Sequence, residues 1–125
     1  MRKLDLEENT MLVGASNEVD KYLQEMDCII ATSFSEGMPL GIMEAQAAAL
    51  PCLCAEGRFP HEIKVTELVE MLPLENGADE WAKKLVDMLS KRHSDRAKWL
   101  QEHKEVLLSL NQDHIAERLF KYLNR

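Results

Sequence analysis

Hydrophobic positions along this chain change period several times, and each change marks an element. Met11-Leu12-Val13 is a short apolar run closed by Gly14, which reads as the end of a strand. Val19, Tyr22, Leu23 and Met26 then recur at helical spacing behind Asn17, a suitable N-cap. Cys28-Ile29-Ile30-Ala31-Thr32 is a continuous apolar run of β-branched character, the pattern of a strand buried on both faces. Residues 33–38 read as a loop. Pro39 suits the first turn of a helix in which Leu40, Met43, Ala47 and Leu50 form the apolar face. Pro51 stops that helix, and Cys52-Leu53-Cys54 reads as a second buried strand. Residues 56–64 are loop-like, with Gly57 and Pro60.

Residues 65–72 fit two descriptions. Val65, Leu68, Val69 and Leu72 match a helix, whereas the β-branched residues favour a short strand at Val69–Leu72. The last third is helical. Asn76-Gly77-Ala78-Asp79 resembles a capped start, and Ala78, Trp81, Ala82, Leu85 and Leu89 share one face. A second helix carries Trp99, Leu100, Val106 and Leu107, and a third carries Ile115, Leu119, Tyr122 and Leu123. Strand–helix–strand alternation followed by helices predicts an α/β domain with a mainly parallel sheet. Residues 1–75 would form the strand–helix–strand core and residues 76–125 the C-terminal helices of one partial domain, since 125 residues suffice for one core.

Charge alters this picture at one place. Between residues 37 and 55 the chain carries a single charge, Glu44. Glu36 stands just before that stretch. Carboxylates are almost never fully buried without a partner, and burying one uncompensated costs several kcal/mol in practice. A polar ligand would account for Glu44 there. The alternative has Glu36 as a solvated loop residue and Glu44 on an exposed helix face. The stretch has the length of a membrane span, but Glu44, Gln46, two Pro and two Gly favour a buried strand–helix–strand unit.

The loop 33–38 should lie at the carboxyl end of a strand, where ligands bind in open parallel sheets. Gly37 lets the backbone approach a ligand, and the first N–H groups of the following helix lack partners within it. That combination suits a phosphate, while Glu36 and Glu44 can only accept, as from hydroxyls. Phosphate together with sugar hydroxyls is the ligand described. The net charge of −7 argues against nucleic acid, and leaves an anionic ligand to local dipoles or a few placed cations. Ser33 and Ser35 have no His/Asp arrangement around them and no hydrolase context. His61 could approach a ligand from the second loop but reads as a surface residue, and His93, His103 and His114 read as solvated. Cys28, Cys52 and Cys54 read as reduced thiols. Cys52 and Cys54 face one side of their strand as small core residues, and no metal site is expected.

The segment SFSEGMPLGIMEAQAAALPCLCA resembles the signature of glycosyltransferase family 4: Ser-x-x-Glu-Gly-x-Pro, a second Glu eight positions after the first, an Ala-rich helix and a Pro-led strand. Val13-Gly14, Val19, Leu23 and Asp27 resemble what precedes the signature. Trp81-Ala82 and the terminal helices resemble the end of bacterial capsule and exopolysaccharide synthesis members. The resemblance runs over about residues 11–125. It implies the later half of the C-terminal, donor-binding domain of a GT-B enzyme, a partial Rossmann-like sheet. It further implies that Glu36 is the catalytic-site carboxylate beside the donor sugar and that Glu44 holds the ribose. Ser35 and the backbone of Gly37, Met38, Pro39 and Leu40 would meet sugar and diphosphate. The donor would be a nucleotide sugar, commonly of uridine diphosphate, transferred with retention and without a metal or other cofactor.

Two departures matter. The family usually has Gly at the position of Ala49, a change expected to tighten helix–strand packing. The Arg and Lys that clamp the diphosphate lie upstream in the family and have no counterpart here, and the acceptor-binding domain has none either. Turnover by this chain alone is therefore not expected. The family's missing strands are central, so an unpaired sheet edge is expected. That edge would take the complementary half or a second copy. A non-catalytic α/β interaction module is the alternative, and a receiver-like phosphate site lacks its acidic cluster and Lys. The charged N-terminus has no signal-peptide core, so a cytoplasmic protein is expected, at most peripheral at the inner membrane face.

Overall fold

A computed structural model describes residues 4–91 and 95–108. The chain forms a three-stranded parallel sheet in the order β1 (Ile29–Ala31), β2 (Cys52–Ala55), β3 (Val69–Leu72). Helix α1 (Val19–Glu25) precedes β1, and α2 (Leu40–Ala47) connects β1 to β2. Helices α3 (Gly77–Ser90), α4 (Arg96–Glu102) and α5 (Lys104–Leu108) follow the sheet. This is the parallel α/β architecture that the alternating pattern predicts. The third terminal helix, His93 and His114 lie outside the described residues.

The centre of the sheet is β2, whose residues are all fully buried. It pairs in register with both neighbours, Cys52 standing opposite Ile29 and Val69. Ile29 and Ala31 of β1 share a hollow with Ile42 of α2 and with Pro39 just before it, while Ile30 and Thr32 share a groove with Trp81 of α3. Alternate strand residues point to opposite faces, so α2 and α3 cover the two sides of the sheet. The ambiguous run resolves as a strand at Val69–Leu72 because Val69, fully buried, extends the sheet beside Cys52.

Four expectations need correction. Met11-Leu12-Val13 is no strand; all three are exposed, and no strand among the described residues pairs with them. An apolar triplet becomes a strand only where a partner backbone takes its hydrogen bonds. Second, β1 is not buried on both faces. Ile30 is 49% exposed over an open groove of about 400 Å³, lined also by Ala78 and Ala82, which the α3 pattern placed inside. β1 is also an edge. Ile29 donates its N–H to the carbonyl of Pro51 at 2.9 Å, so the alternation of a parallel ladder turns the Ile30 backbone groups away from β2.

Third, α1 starts at Val19 without a side-chain cap; Ser16 Oγ, not Asn17, accepts a nearby backbone N–H, that of Glu18. Its other end is held from far along the chain. The guanidinium of Arg96 donates to the carbonyls of Leu23, Gln24 and Met26, neutralising the negative end of the helix. Fourth, the second terminal helix breaks at His103 into α4 and α5. His103 is half-buried rather than solvated. Its ring stacks on Trp99 with centroids 4.0 Å apart, and its Nε2 lies 3.4 Å from Glu67.

Ala49 has a consequence other than packing. The N–H of Leu50 donates to the carbonyl of Ala45 at 2.9 Å and the N–H of Ala49 to that of Gln46 at 3.0 Å. This is the Schellman ending of a helix, which calls for a left-handed residue. Ala49 adopts it, with φ +55°. The conformation costs an L-residue about 1–2 kcal/mol, of which the looser unfolded state of glycine would return about 0.5–1 kcal/mol. Ala49→Gly is therefore expected to stabilise the fold by about 0.5 kcal/mol or more, read as a raised urea midpoint. A lowered midpoint would mean that the methyl, packed with Leu68 and Trp99, outweighs the strain.

Candidate functional site

The loop from β1 to α2 opens at the carboxyl end of the sheet. The N–H of Glu36 donates to the carbonyl of Arg58 at 3.0 Å, which ties the loop after β1 to the turn after β2. Between them lies a hollow of about 460 Å³ lined by Ser33, Glu36, Met38, Pro39, Leu40 and Gly41, with the buried Phe59 closing one side. Of the residues singled out from sequence, the hollow gathers Glu36, Met38, Pro39 and Leu40. Ser35 and Gly37 are exposed in the same loop but do not line it.

Pro39 precedes α2 rather than opening its first turn, and its carbonyl accepts from the N–H groups of Ile42 and Met43. No side chain among the described residues caps the start of the helix. The N–H groups of Leu40 and Gly41 therefore begin α2 without an acceptor inside it, at the positive end of its dipole. A Cβ added at Gly37 or Gly41 would meet nothing within 4 Å. Neither glycine is demanded by internal packing, and Gly41 inside a helix costs about 0.5–1 kcal/mol relative to alanine. That mismatch between residue and element was the sequence signal by which Gly41 could have been found.

Glu44 overturns the reasoning that first drew attention to it. It is exposed, one turn along α2 from the hollow, on an outer face with Leu40, Gly41 and Ala47. The buried face is Ile42, Met43, Ala45 and Gln46. The anticipated apolar face held only in part, since Leu40 is 50% exposed. The polar group that is truly buried is Gln46, at 0% exposure. Its Nε2 donates to the carbonyl of Ile63 at 2.9 Å, and its Oε1 accepts from the N–H and hydroxyl of Thr66, each at 3.0 Å. Gln46 thus fixes α2 against the chain entering β3.

The thiols take no part in this surface. Cys52 and Cys54 are wholly buried in β2. Burial, and for Cys52 the neighbouring thiols, pushes their pKa up to about 12 and about 11, so both stay protonated and inert at neutral pH. His61 is exposed beyond the turn after β2. No helix among the described residues is long and apolar enough to cross a membrane.

Residues 1–106 match the family described as glycosyl transferases group 1. Over 50 residues, 40% of this chain, there is 38% identity with the UDP-Gal:alpha-D-GlcNAc-diphosphoundecaprenol alpha-1,3-galactosyltransferase of Escherichia coli. A Bacillus subtilis protein named as a glycosyltransferase, EpsF, is 26% identical over 81 residues, 65% of this chain. A glycosyltransferase of Methanocaldococcus jannaschii is 34% identical over 69 residues, 54% of this chain. The matches cover 13%, 21% and 17% of those three proteins, so the chain spans about a fifth or less of each. No solved structure matches the chain significantly.

Proposed function

We propose that this chain, which belongs to the glycosyl transferases group 1 family, is the nucleotide-sugar-binding part of a retaining glycosyltransferase. The observation that carries the reading is the hollow at the end of β1, where Glu36 and the uncapped start of α2 face one space. Backbone N–H groups at a helix start suit a phosphate. A carboxylate beside them suits a hydroxyl-rich sugar. Glu44, exposed one turn on, is free to accept from a ribose.

In this reading Glu36 stands at the donor sugar as the catalytic-site carboxylate and Glu44 holds the ribose. Ser35, Gly37, Met38, Pro39 and Leu40 border sugar and diphosphate. The donor is a uridine diphosphate sugar, in keeping with the name of the Escherichia coli relative. The acceptor is a polysaccharide or lipid-linked sugar, as in capsule or exopolysaccharide synthesis, the transfer needs no metal, and the site works on the cytoplasmic side. A chain spanning about a fifth of such relatives binds donor as a partial domain without turning it over alone.

The test is an amide NMR titration of the folded chain with UDP, UDP-glucose and UDP-N-acetylglucosamine. Shifts concentrated over residues 36–44 are expected. No shift at millimolar ligand would remove the reading and favour a second one, a non-catalytic interaction module. That module is motivated by the edge position of β1 and the open groove beside Ile30. The edge would receive the complementary half of the sheet or a second copy.

A further inference from the structure

We propose that Arg58 supplies the cation that binds the diphosphate of the nucleotide sugar, an assignment that rests on the donor-binding reading above. A nucleoside diphosphate brings at least two negative charges. The rim it would meet is itself acidic, with Glu36, Glu56 and Glu75 all exposed along it. The start of α2 offers only about half a positive charge. On a chain of net charge −7 the balance calls for a full cation close by. The segments that follow the three strands, residues 32–39, 56–60 and 73–76, contain one Lys or Arg, and it is Arg58.

The backbone of Arg58 is held by hydrogen bonds, its side chain by an exposed ion pair. Gly57, at φ +71°, turns the chain, and the N–H of Arg58 donates to the carbonyl of Ala55 at 3.2 Å. The carbonyl of Arg58 accepts from Glu36 at 3.0 Å, and the next residue, Phe59, walls the hollow. Arg58 is thus anchored beside the site from both directions. Its side chain is 40% exposed, and the guanidinium lies 3.6 Å from the carboxylate of Glu75, whose side chain is 73% exposed. A surface pair of that length is weak, so the guanidinium can leave Glu75 for a phosphate. Arginine is suited to the exchange because its planar fork binds phosphate oxygens in pairs. Glu75 serves in the free protein as a stand-in for the anion.

The experiment compares uridine and UDP affinities, by calorimetric titration, for the wild type, Arg58→Gln and Glu75→Gln. Arg58→Gln should lower the UDP affinity about tenfold, the loss of one charge-assisted contact, and leave uridine unchanged. Glu75→Gln, a surface change that leaves the core untouched, should raise the UDP affinity and again spare uridine. UDP binding that neither variant alters would overturn the role of Arg58 while leaving the donor site standing. A wild-type chain that binds neither ligand would overturn the site and this assignment together. Equal losses for uridine and UDP in Arg58→Gln would overturn the assignment to the diphosphate and point to a displaced Glu36 loop.

Discussion

Gln46→Leu is expected to lower the unfolding free energy by about 3 kcal/mol, although leucine is apolar, similar in size and a good helix former. The site is fully buried, so the carboxamide is not exchanging its partners for water. Leucine would fill the volume and leave four polar contacts unanswered. The carbonyl of Ile63 and the N–H of Thr66 would lose partners at 2.9 and 3.0 Å. The Thr66 hydroxyl would lose its acceptor, and the carbonyl of Ile42 a longer contact at 3.3 Å. A buried group left unpaired costs about 1–3 kcal/mol, and the two donors of Thr66 are left so, whereas the Ile63 carbonyl keeps the N–H of Val65 at 2.9 Å. Urea denaturation should show a lower midpoint with an unchanged slope. A change below about 1 kcal/mol would mean that the network does not hold α2 in solution. The consequence reaches the site, because α2 is the element that carries both Glu44 and the floor of the hollow.

That Gln46, and not Glu44, is the buried polar residue was the part of α2 hardest to read. Between residues 37 and 55 nearly every position is small or apolar. Rotating the helix therefore changes the apparent apolar face very little, and Leu40 and Ala47 looked as good inside as Ile42 and Ala45. The periodic signal needs polar contrast, and this stretch has almost none. Where contrast or strong propensity existed, the chain was legible. The β-branched run ending at Ala31, the Pro51 stop and the strand Val69–Leu72 all followed from local pattern. So did the loop that delivers Glu36 to a helix start. Long-range partners were not legible. Nothing near Arg96 in the sequence announces three carbonyls at the end of α1 seventy or more residues earlier. Nothing in Met11-Leu12-Val13 tells whether a neighbouring strand is there to receive it. The left-handed conformation of Ala49 was hidden for a related reason: alanine normally signals helix, and only the closing hydrogen bonds show that the helix has ended.

Under the proposed assignments, Glu44→Ala is expected to weaken uridine and UDP alike by about 10- to 100-fold. A hydrogen bond from a neutral hydroxyl to a charged acceptor contributes about 1.5–3 kcal/mol, and each 1.4 kcal/mol is about tenfold in affinity. The variant separates binding from folding because Glu44 is exposed and makes no part of the core. Alanine is a strong helix former, so α2 should persist and the urea midpoint should move little. Glu36→Ala makes the complementary case. Its side chain lines the hollow, whereas its structural bond to Arg58 runs through the backbone and survives the substitution. It should leave uridine affinity unchanged, spare or slightly strengthen UDP by removing a like charge from the rim, and weaken only a UDP-sugar. The two variants therefore divide one ligand into its parts, ribose at Glu44 and transferred sugar at Glu36. An unchanged uridine affinity in Glu44→Ala would remove the ribose assignment. A Glu36→Ala protein that loses uridine as strongly as UDP-glucose would move the nucleoside into the hollow and the sugar out of it.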